Sequence, residues 1–184
     1  METHDTKGKI VKETFPAEVV SIVGDILAGI VLIILILPFK SFLILILIIP
    51  PLLSLRGNIT APFIARTARD LVIGEFDLRS WIENVFATYC LSLITAILIG
   101  FISLILNFLF FKILIITGAL IILLPVISIN LTLLFSIPIS TFLNYFTFKY
   151  GLNPNNIVNP IMTAIGDFSM VLCFYLTLLI LGVP

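Results

Sequence analysis

The sequence is dominated by apolar stretches that are each about as long as a membrane-spanning helix. Roughly 20 apolar helical residues cross the ~30 Å hydrocarbon core of a bilayer. Such stretches cover residues 19–37, 41–55, 82–110, 113–148 and, from a start between 153 and 160, up to 181. Lipid offers no partners to backbone N–H and C=O groups, so each stretch must form a helix. The chain is predicted to be an all-α polytopic membrane protein with five transmembrane helices.

Composition and charge support this assignment and give an orientation. Of the 184 residues, 60% are hydrophobic and 11% are charged, and the mean hydropathy is +1.27. Residues 1–18 are polar and lack a basic region leading to a cleavage site, so we expect no cleaved signal peptide. They are predicted to form a short cytoplasmic tail or surface helix before a transport domain at 19–184.

The lysine and arginine distribution predicts a cytoplasmic N-terminus and an outside C-terminus in a multi-pass plasma-membrane protein. With this orientation, only Lys40 and Lys112 face outward. The seven that then face the cytoplasm are Lys7, Lys9, Lys12, Arg66, Arg69, Arg79 and Lys149.

Several functional classes find no support in the residues. Cys90 and Cys173 are far apart in apolar runs, and the single histidine, His4, lies in the tail, so no zinc, haem or disulfide framework is indicated. The net charge is zero and no basic patch carries interleaved aromatics, which leaves nucleic-acid binding unsupported. No nucleophile–base pair or ligand cluster suggests an enzyme.

The second and fourth helices contain residues that a plain membrane span avoids. The second has Pro50-Pro51, the run Arg56-Gly57-Asn58, and Pro62, while the fourth has Pro125 and Pro138. Proline removes a backbone donor and kinks a helix, and breaks at membrane depth are tolerated only against protein or a wet cavity. Both helices are therefore predicted to be kinked or broken, and the second to line a pathway.

The fifth helix carries a carboxylate deep in the membrane. It starts at Asn153 or at Asn159, since each precedes a proline and Asn-Pro is typical of a helix N-cap followed by its first residue. Asn159, Thr163 and Asp167 follow at intervals of four and form one polar stripe. Asp167 lies roughly 14 Å from Val158 along the helix, close to the midplane. An ionisable group there indicates an ion or proton pathway.

The stripe consists of hard oxygen ligands, which suit Mg²⁺ and also Mn²⁺ or Ca²⁺. Mg²⁺ needs only one or two carboxylates, because it keeps several waters. Gly57 and Asn58 are predicted to line the same pathway, and Asp25, roughly 9 Å inside the boundary, is a candidate second relay or entry site. For Asp25, pairing with Arg56 or reaching the interface is the favoured interpretation. Simpler interpretations stay open for the others: Asp167 satisfied by Arg56 or by neighbouring hydroxyls, and Gly57-Asn58 as a packing contact.

Two segments resemble a known family. They are Pro50-Pro51-Leu52-Leu53-Ser54-Leu55-Arg56-Gly57-Asn58 and Gly151-Leu152-Asn153-Pro154-Asn155-Asn156 leading to Pro160-Ile161 and Gly166-Asp167. Both are similar to the transmembrane domain of MgtE-type magnesium transporters, particularly the eukaryotic solute-carrier branch and its prokaryotic relatives. The resemblance extends from about Glu13 over the rest of the chain.

The resemblance implies a dimer of five-helix units with a cation pore between them, so that this single unit would pair with a second copy. It implies that Asp167 holds hydrated Mg²⁺, that Thr163 and Asn159 precede it in the pore, and that Gly57-Asn58 belong to the second pore helix. Asp25 matches no family motif. Bacterial MgtE proteins carry a magnesium-sensing region with CBS domains, whereas about 18 residues precede the first span here, so we expect different regulation.

The sequence thus predicts a homodimeric divalent-cation transporter, most simply for Mg²⁺. A proton- or sodium-coupled carrier that uses Asp167 as a titrating site remains an alternative. So does a membrane assembly subunit whose polar residues only hold helices together.

Overall fold

The computed structural model describes residues 6–35, 43–111 and 117–183, and within these ranges all regular structure is helical. The helices are α1 (Lys7–Ile34), α2 (Ile44–Ile73), α3 (Leu78–Leu106), α4 (Gly118–Lys149) and α5 (Pro154–Ile180). Each is long and apolar enough to cross a membrane. The predicted five-helix, all-α membrane fold is confirmed for these residues. Lys40, Lys112 and the predicted span ends at residues 37, 41 and 113 lie outside them.

The helix boundaries differ from the predicted spans at two places. α1 begins at Lys7, where Thr6 accepts a hydrogen bond from the Lys9 amide (3.4 Å), so residues 7–18 are its first turns and not a separate helix. α2 continues to Ile73, well beyond the end of the apolar stretch at residue 55, and the connection to α3 is only residues 74–77. The helix continues through these polar residues because each residue added to a helix completes one more backbone hydrogen bond. The predicted membrane boundary at residue 19 stays a prediction.

α2 and α4 are continuous helices through the prolines that they contain. Pro50, Pro51 and Pro62 lie inside α2, and Pro125 and Pro138 inside α4. The predicted breaks are therefore wrong. Each proline lacks one backbone N–H donor, but the loss of that donor does not end the helix in these apolar surroundings. Kinks at these residues stay a prediction.

Three helices form the centre of the fold. α2, α4 and α5 contact one another, α3 packs on α2 and α4, and α1 packs mainly along α5. Fully buried side chains from the central helices fill the space between them, among them Leu52, Phe63, Leu133, Met170 and Phe174. In this arrangement, α1 and α3 are the most exposed of the five helices.

A buried polar stripe on α4 links the central helices. Its members repeat mostly every fourth residue, and they are Ser128, Thr132, Ser136, Ser140, Asn144 and Thr147. Ser128 bonds to the Thr177 hydroxyl of α5 (3.1 Å), and the Asn144 amide donates to the Ile64 carbonyl of α2 (3.1 Å). Bonds of this kind contribute about 0.6–2 kcal/mol each between helices in lipid. They fix the register of α4 against both neighbours.

α1 and α5 run parallel and in close contact. Near their N-termini the Asn156 amide donates to Glu13 (3.0 Å), and further along Gly24 lies directly against Ala164. The contacts follow the same order along both helices, so the N-termini of α1 and α5 lie on the same side of the fold. This packing brings the residue after Gly24, Asp25, to the level of the α5 stripe.

We predict that Gly24→Val lowers stability by about 1–3 kcal/mol, the usual cost of overpacking. A Cβ at residue 24 would overlap the Ala164 backbone and push α1 away from α5. Thermal unfolding in detergent measures the loss. Gly29→Val is the matched control on the same helix, because a Cβ there meets nothing within 4 Å. An equal loss in both variants would contradict the proposed close contact.

Candidate cation site

Asp167 is the middle residue of α5. The helix starts at Pro154, with Asn153 as the N-cap accepting from the Asn155 amide (3.0 Å), so the first of the two predicted starts is correct. Asp167 lies thirteen residues from Pro154 and thirteen from Ile180. At ~1.5 Å per residue this is roughly 20 Å from either end. The carboxylate is therefore at the centre of a helix long enough to span the bilayer.

Arg56 of α2 is the direct partner of Asp167. Its Nη2 lies 2.6 Å from Asp167 Oδ1, and its Nη1 donates to the Met162 carbonyl of α5 (3.1 Å). The Arg56 side chain is 5% exposed and the Asp167 side chain 24% exposed. A charge-assisted bond of this length is strong, and it is stronger away from water. The ion pair that the sequence left open as a simpler interpretation is thus present.

Gly166 makes room for this ion pair. The Arg56 guanidinium lies against Gly166, and a Cβ at that residue would overlap the Nη1 and Cζ atoms. The glycine therefore forms a recess on α5 for the arginine head group. Sequence reasoning did not recognise this role of Gly166, although a glycine directly before a mid-membrane aspartate was the available signal.

Asp25 adds a second carboxylate beside Asp167. It is exposed on α1, at the level of the α5 stripe, and it acts electrostatically on the Asp167 carboxyl. The hydrogen bonds that the structure gives the Arg56 guanidinium go to Asp167 and Met162, not to Asp25. No cluster of three or more His, Cys, Asp or Glu side chains exists in the described part of the chain. One protomer therefore offers two adjacent carboxylates, which is enough for a hydrated Mg²⁺.

Thr163 and Asn159 continue the stripe along α5. Thr163 is exposed, and its hydroxyl donates to the Asn159 carbonyl (3.0 Å). The Asn159 side-chain oxygen is buried and has no hydrogen-bond partner. Four helical residues rise about 6 Å, so these side chains lie at successive levels below Asp167. They form a series of oxygen ligands and not a single coordination sphere.

Gly57 and Asn58 follow Arg56 on α2, and their predicted role in lining the pathway stays a prediction. α2 is continuous through both residues, so no backbone carbonyls are freed there. Asn58 is exposed and donates to the Ser54 hydroxyl of its own helix (3.4 Å). Two residues along a helix turn about 200°, so Asn58 faces away from the direction of Arg56. Within one protomer, Arg56 is the residue of this motif that reaches Asp167.

The residues that surround this site lie within a region that is similar to a known family. The family model for MgtE, described as a divalent cation transporter, matches residues 49–177, which is more than two thirds of the chain. The chain belongs to the MgtE family. The matched region contains Arg56, Gly166 and Asp167, whereas α1 with Asp25 precedes it. A comparison with curated proteins finds no match.

Membership of the family confirms the resemblance and the general activity. MgtE proteins are divalent cation transporters, so the substrate class of this chain is a divalent cation and its setting is the lipid bilayer. The family's activity is transport and not catalysis. Within the matched region, α5 carries the Asp167 carboxylate beside the buried Arg56 guanidinium.

We predict strong energetic coupling between Arg56 and Asp167. Asp167→Ala leaves a buried arginine without its partner and is expected to lower stability by about 3–5 kcal/mol. The double variant with Asp167→Ala and Arg56→Met should lose clearly less stability than the sum of the two single variants. Unfolding in detergent measures this double-mutant cycle.

The exposed pair Arg79 and Glu83 is the matched control. Its atoms are 3.2 Å apart with side chains 88% and 68% exposed, so its coupling should not exceed about 0.5 kcal/mol. Additive losses at Arg56 and Asp167 would show that the buried pair does not stabilise the fold.

Proposed function

We propose that two copies of this chain form a Mg²⁺ transporter in which Asp167 of each copy holds a hydrated ion near the middle of the membrane. The observation that carries the proposal is the central position of a partly exposed carboxylate, beside Asp25, in a member of a divalent-cation transporter family. A carboxylate in that position is costly unless it serves an ion pathway.

The choice of Mg²⁺ rests on the ligand chemistry. The available groups are carboxylate, amide and hydroxyl oxygens, which bind hard cations in preference to zinc or copper. A single protomer brings two carboxylates to one level, and the exposed Thr163 hydroxyl can accept a hydrogen bond from the water shell of an ion. We place Asn159 one turn further along the same pathway. Mg²⁺ keeps most of that shell, whereas Ca²⁺ takes six to eight protein or water oxygens directly.

The surface around Asp167 supports a homodimer. The Asp167 side chain is 24% exposed, and Thr163 of α5 and Asp25 of α1 are exposed as well. On insertion scales a charge facing lipid costs about 2.5–3.5 kcal/mol, and a second copy would replace lipid by protein and a hydrated pore. Asn58 is exposed on α2 and is proposed to contribute to the same pore, together with kinks at the prolines of α2 and α4.

The proposed orientation follows the distribution of basic residues. With the N-terminus in the cytoplasm, the short connection 74–77 and the start of α5 also lie on the cytoplasmic side of the plasma membrane. Glu75 and Asp77 are exposed in that connection and would raise the local cation concentration at the inner mouth.

A carrier coupled to protons or sodium is a second candidate. The position of Asp25 at the level of Asp167 favours it, because ionisable groups inside membrane helices also mark proton pathways. Flux that follows a proton or sodium gradient and ignores Mg²⁺ would support this candidate over the first.

We predict that Asp167→Ala and Asp167→Asn both remove most Mg²⁺ flux in proteoliposomes. Losing an outer-shell partner of a metal typically costs about 10–100-fold, and loss of a direct or water-bridged carboxylate should cost at least as much. Glu83→Gln is the matched control, since it makes the same carboxylate-to-amide change at an exposed residue. Unchanged flux in both Asp167 variants would refute the proposal.

We predict that Thr163→Cys forms a disulfide between two protomers, because residues one turn from Asp167 should face each other across the dimer axis. The background protein carries Cys90→Ala and Cys173→Ala, which removes both native thiols. Leu98→Cys serves as the control, since it is exposed on α3, which packs on α2 and α4. Oxidative cross-linking in membranes, read on a denaturing gel, should give a dimer only for Thr163→Cys. The absence of a dimer with Thr163→Cys, or equal amounts of dimer with Thr163→Cys and Leu98→Cys, would contradict an α5-centred interface.

A further inference from the structure

Arg56 occupies the place where a cation would sit beside the proposed ligand. Its guanidinium bonds to Asp167 Oδ1 at 2.6 Å, and Asp25 interacts with the same carboxyl. The three groups together carry two negative charges and one positive charge. A guanidinium keeps its charge at physiological pH, so it can leave the carboxylate only by moving the side chain.

We propose, on the basis of the cation transport proposed above, that Arg56 is a tethered cation that competes with the transported divalent ion for Asp167. In the empty site Arg56 neutralises Asp167. When an ion binds, the arginine withdraws from Asp167, and binding at the site is thereby linked to the position of α2 against α5.

The bonding of Arg56 fits an exchangeable partner better than a permanent one. A buried arginine in a fixed structural pair has its five donors satisfied. Here Nη1 and Nη2 each have a partner, whereas Nε is buried and has none. The guanidinium therefore makes a strong hydrogen bond to one oxygen of Asp167, but its Nε donor is left unsatisfied. The incomplete bonding lowers the free-energy cost of exchanging the guanidinium for a hydrated ion.

The recess at Gly166 determines where Arg56 can rest. The arginine packs directly on the glycine, and no side chain larger than hydrogen fits between them. The carbonyl of Met162, one turn before Gly166, accepts the second bond. The recess and the carbonyl hold the head group next to Asp167, whose side chain stays 24% exposed.

A tethered cation also explains how an empty site is tolerated in the membrane. Two adjacent carboxylates without a counter-charge repel each other and lack water to stabilise them. With Arg56 in place, one of the two is neutralised. An ion then gains the attraction of both carboxylates but must first displace the arginine, so the arginine sets the apparent affinity.

The test compares Mg²⁺ binding and Mg²⁺ transport in Arg56→Gln with the wild-type dimer. Removing the competitor should lower the Mg²⁺ concentration that gives half of the maximal thermal stabilisation, by roughly tenfold. The KM for Mg²⁺ flux should fall in parallel, and the maximal rate should fall as well, because a tightly held ion leaves slowly. Arg56→Lys, which retains a charge, should restore an affinity close to that of the wild type.

Two further variants keep the outcome decisive. Gly166→Ala retains the charge of Arg56 but displaces its head group, so it should shift the affinity in the same direction even if Arg56→Gln fails to fold. Arg79→Gln, which removes an exposed arginine paired with Glu83, should change neither affinity nor rate.

Unchanged or weaker Mg²⁺ binding in folded Arg56→Gln or Gly166→Ala would overturn the role of Arg56 alone. Full Mg²⁺ binding and flux in Asp167→Asn would instead overturn the proposed ion site, and with it the competition. Loss of folding without any change in affinity among the folded variants would assign Arg56 a purely structural role and refute the proposal.

Discussion

The ion pair between Arg56 and Asp167 is the interaction on which the arrangement of the central helices depends. Either charge alone in the bilayer would cost several kcal/mol, so neither residue can be placed without the other. The bond of 2.6 Å joins the middle of α5 to α2, and the recess at Gly166 exists because the arginine needs to approach the α5 backbone. A single polar contact thus fixes the separation and the rotation of two helices that apolar packing alone would leave free to slide.

The remaining polar residues secure the helices around this pair. α4 contributes a buried stripe whose bonds reach α5 through Ser128 and α2 through Asn144. α1 approaches α5 through Gly24 and brings Asp25 beside the ion pair. Because lipid is as apolar as leucine, such contacts and close small-residue packing, and not the hydrophobic effect, hold helices together in a membrane.

Part of the site lies in the region that the family model matches, and part lies on α1, which precedes that region. Arg56 and Asp167 lie within the matched residues 49–177, while Asp25 lies on α1. At the site, the matched region supplies one carboxylate and one arginine, and α1 adds a second carboxylate. In our proposal this addition gives the site the charge that a divalent ion requires, and Arg56 balances part of that charge when no ion is bound.

The sequence by itself determined the class of fold and the five helices, because the length of apolar stretches is a local property of the chain. It also singled out Asp167 as the candidate ion site, because a carboxylate within an apolar span is costly. The Asn153 cap and the stripe from Asn159 to Asp167 followed from helical spacing. The breaks at the prolines and at Gly57 were wrong, since a continuous helix costs less in apolar surroundings than freed backbone groups do.

Only the tertiary structure decided which partner Asp167 has. Helical periodicity gives the direction of a side chain on its own helix, but not which face of another helix meets it or at what level. That choice depended on Gly166 admitting the arginine, on Gly24 admitting α5, and on the parallel register of α1 and α5. These are packing relations between residues far apart in the chain, and they bring Arg56 of α2 and Asp25 of α1 to the level of one carboxylate.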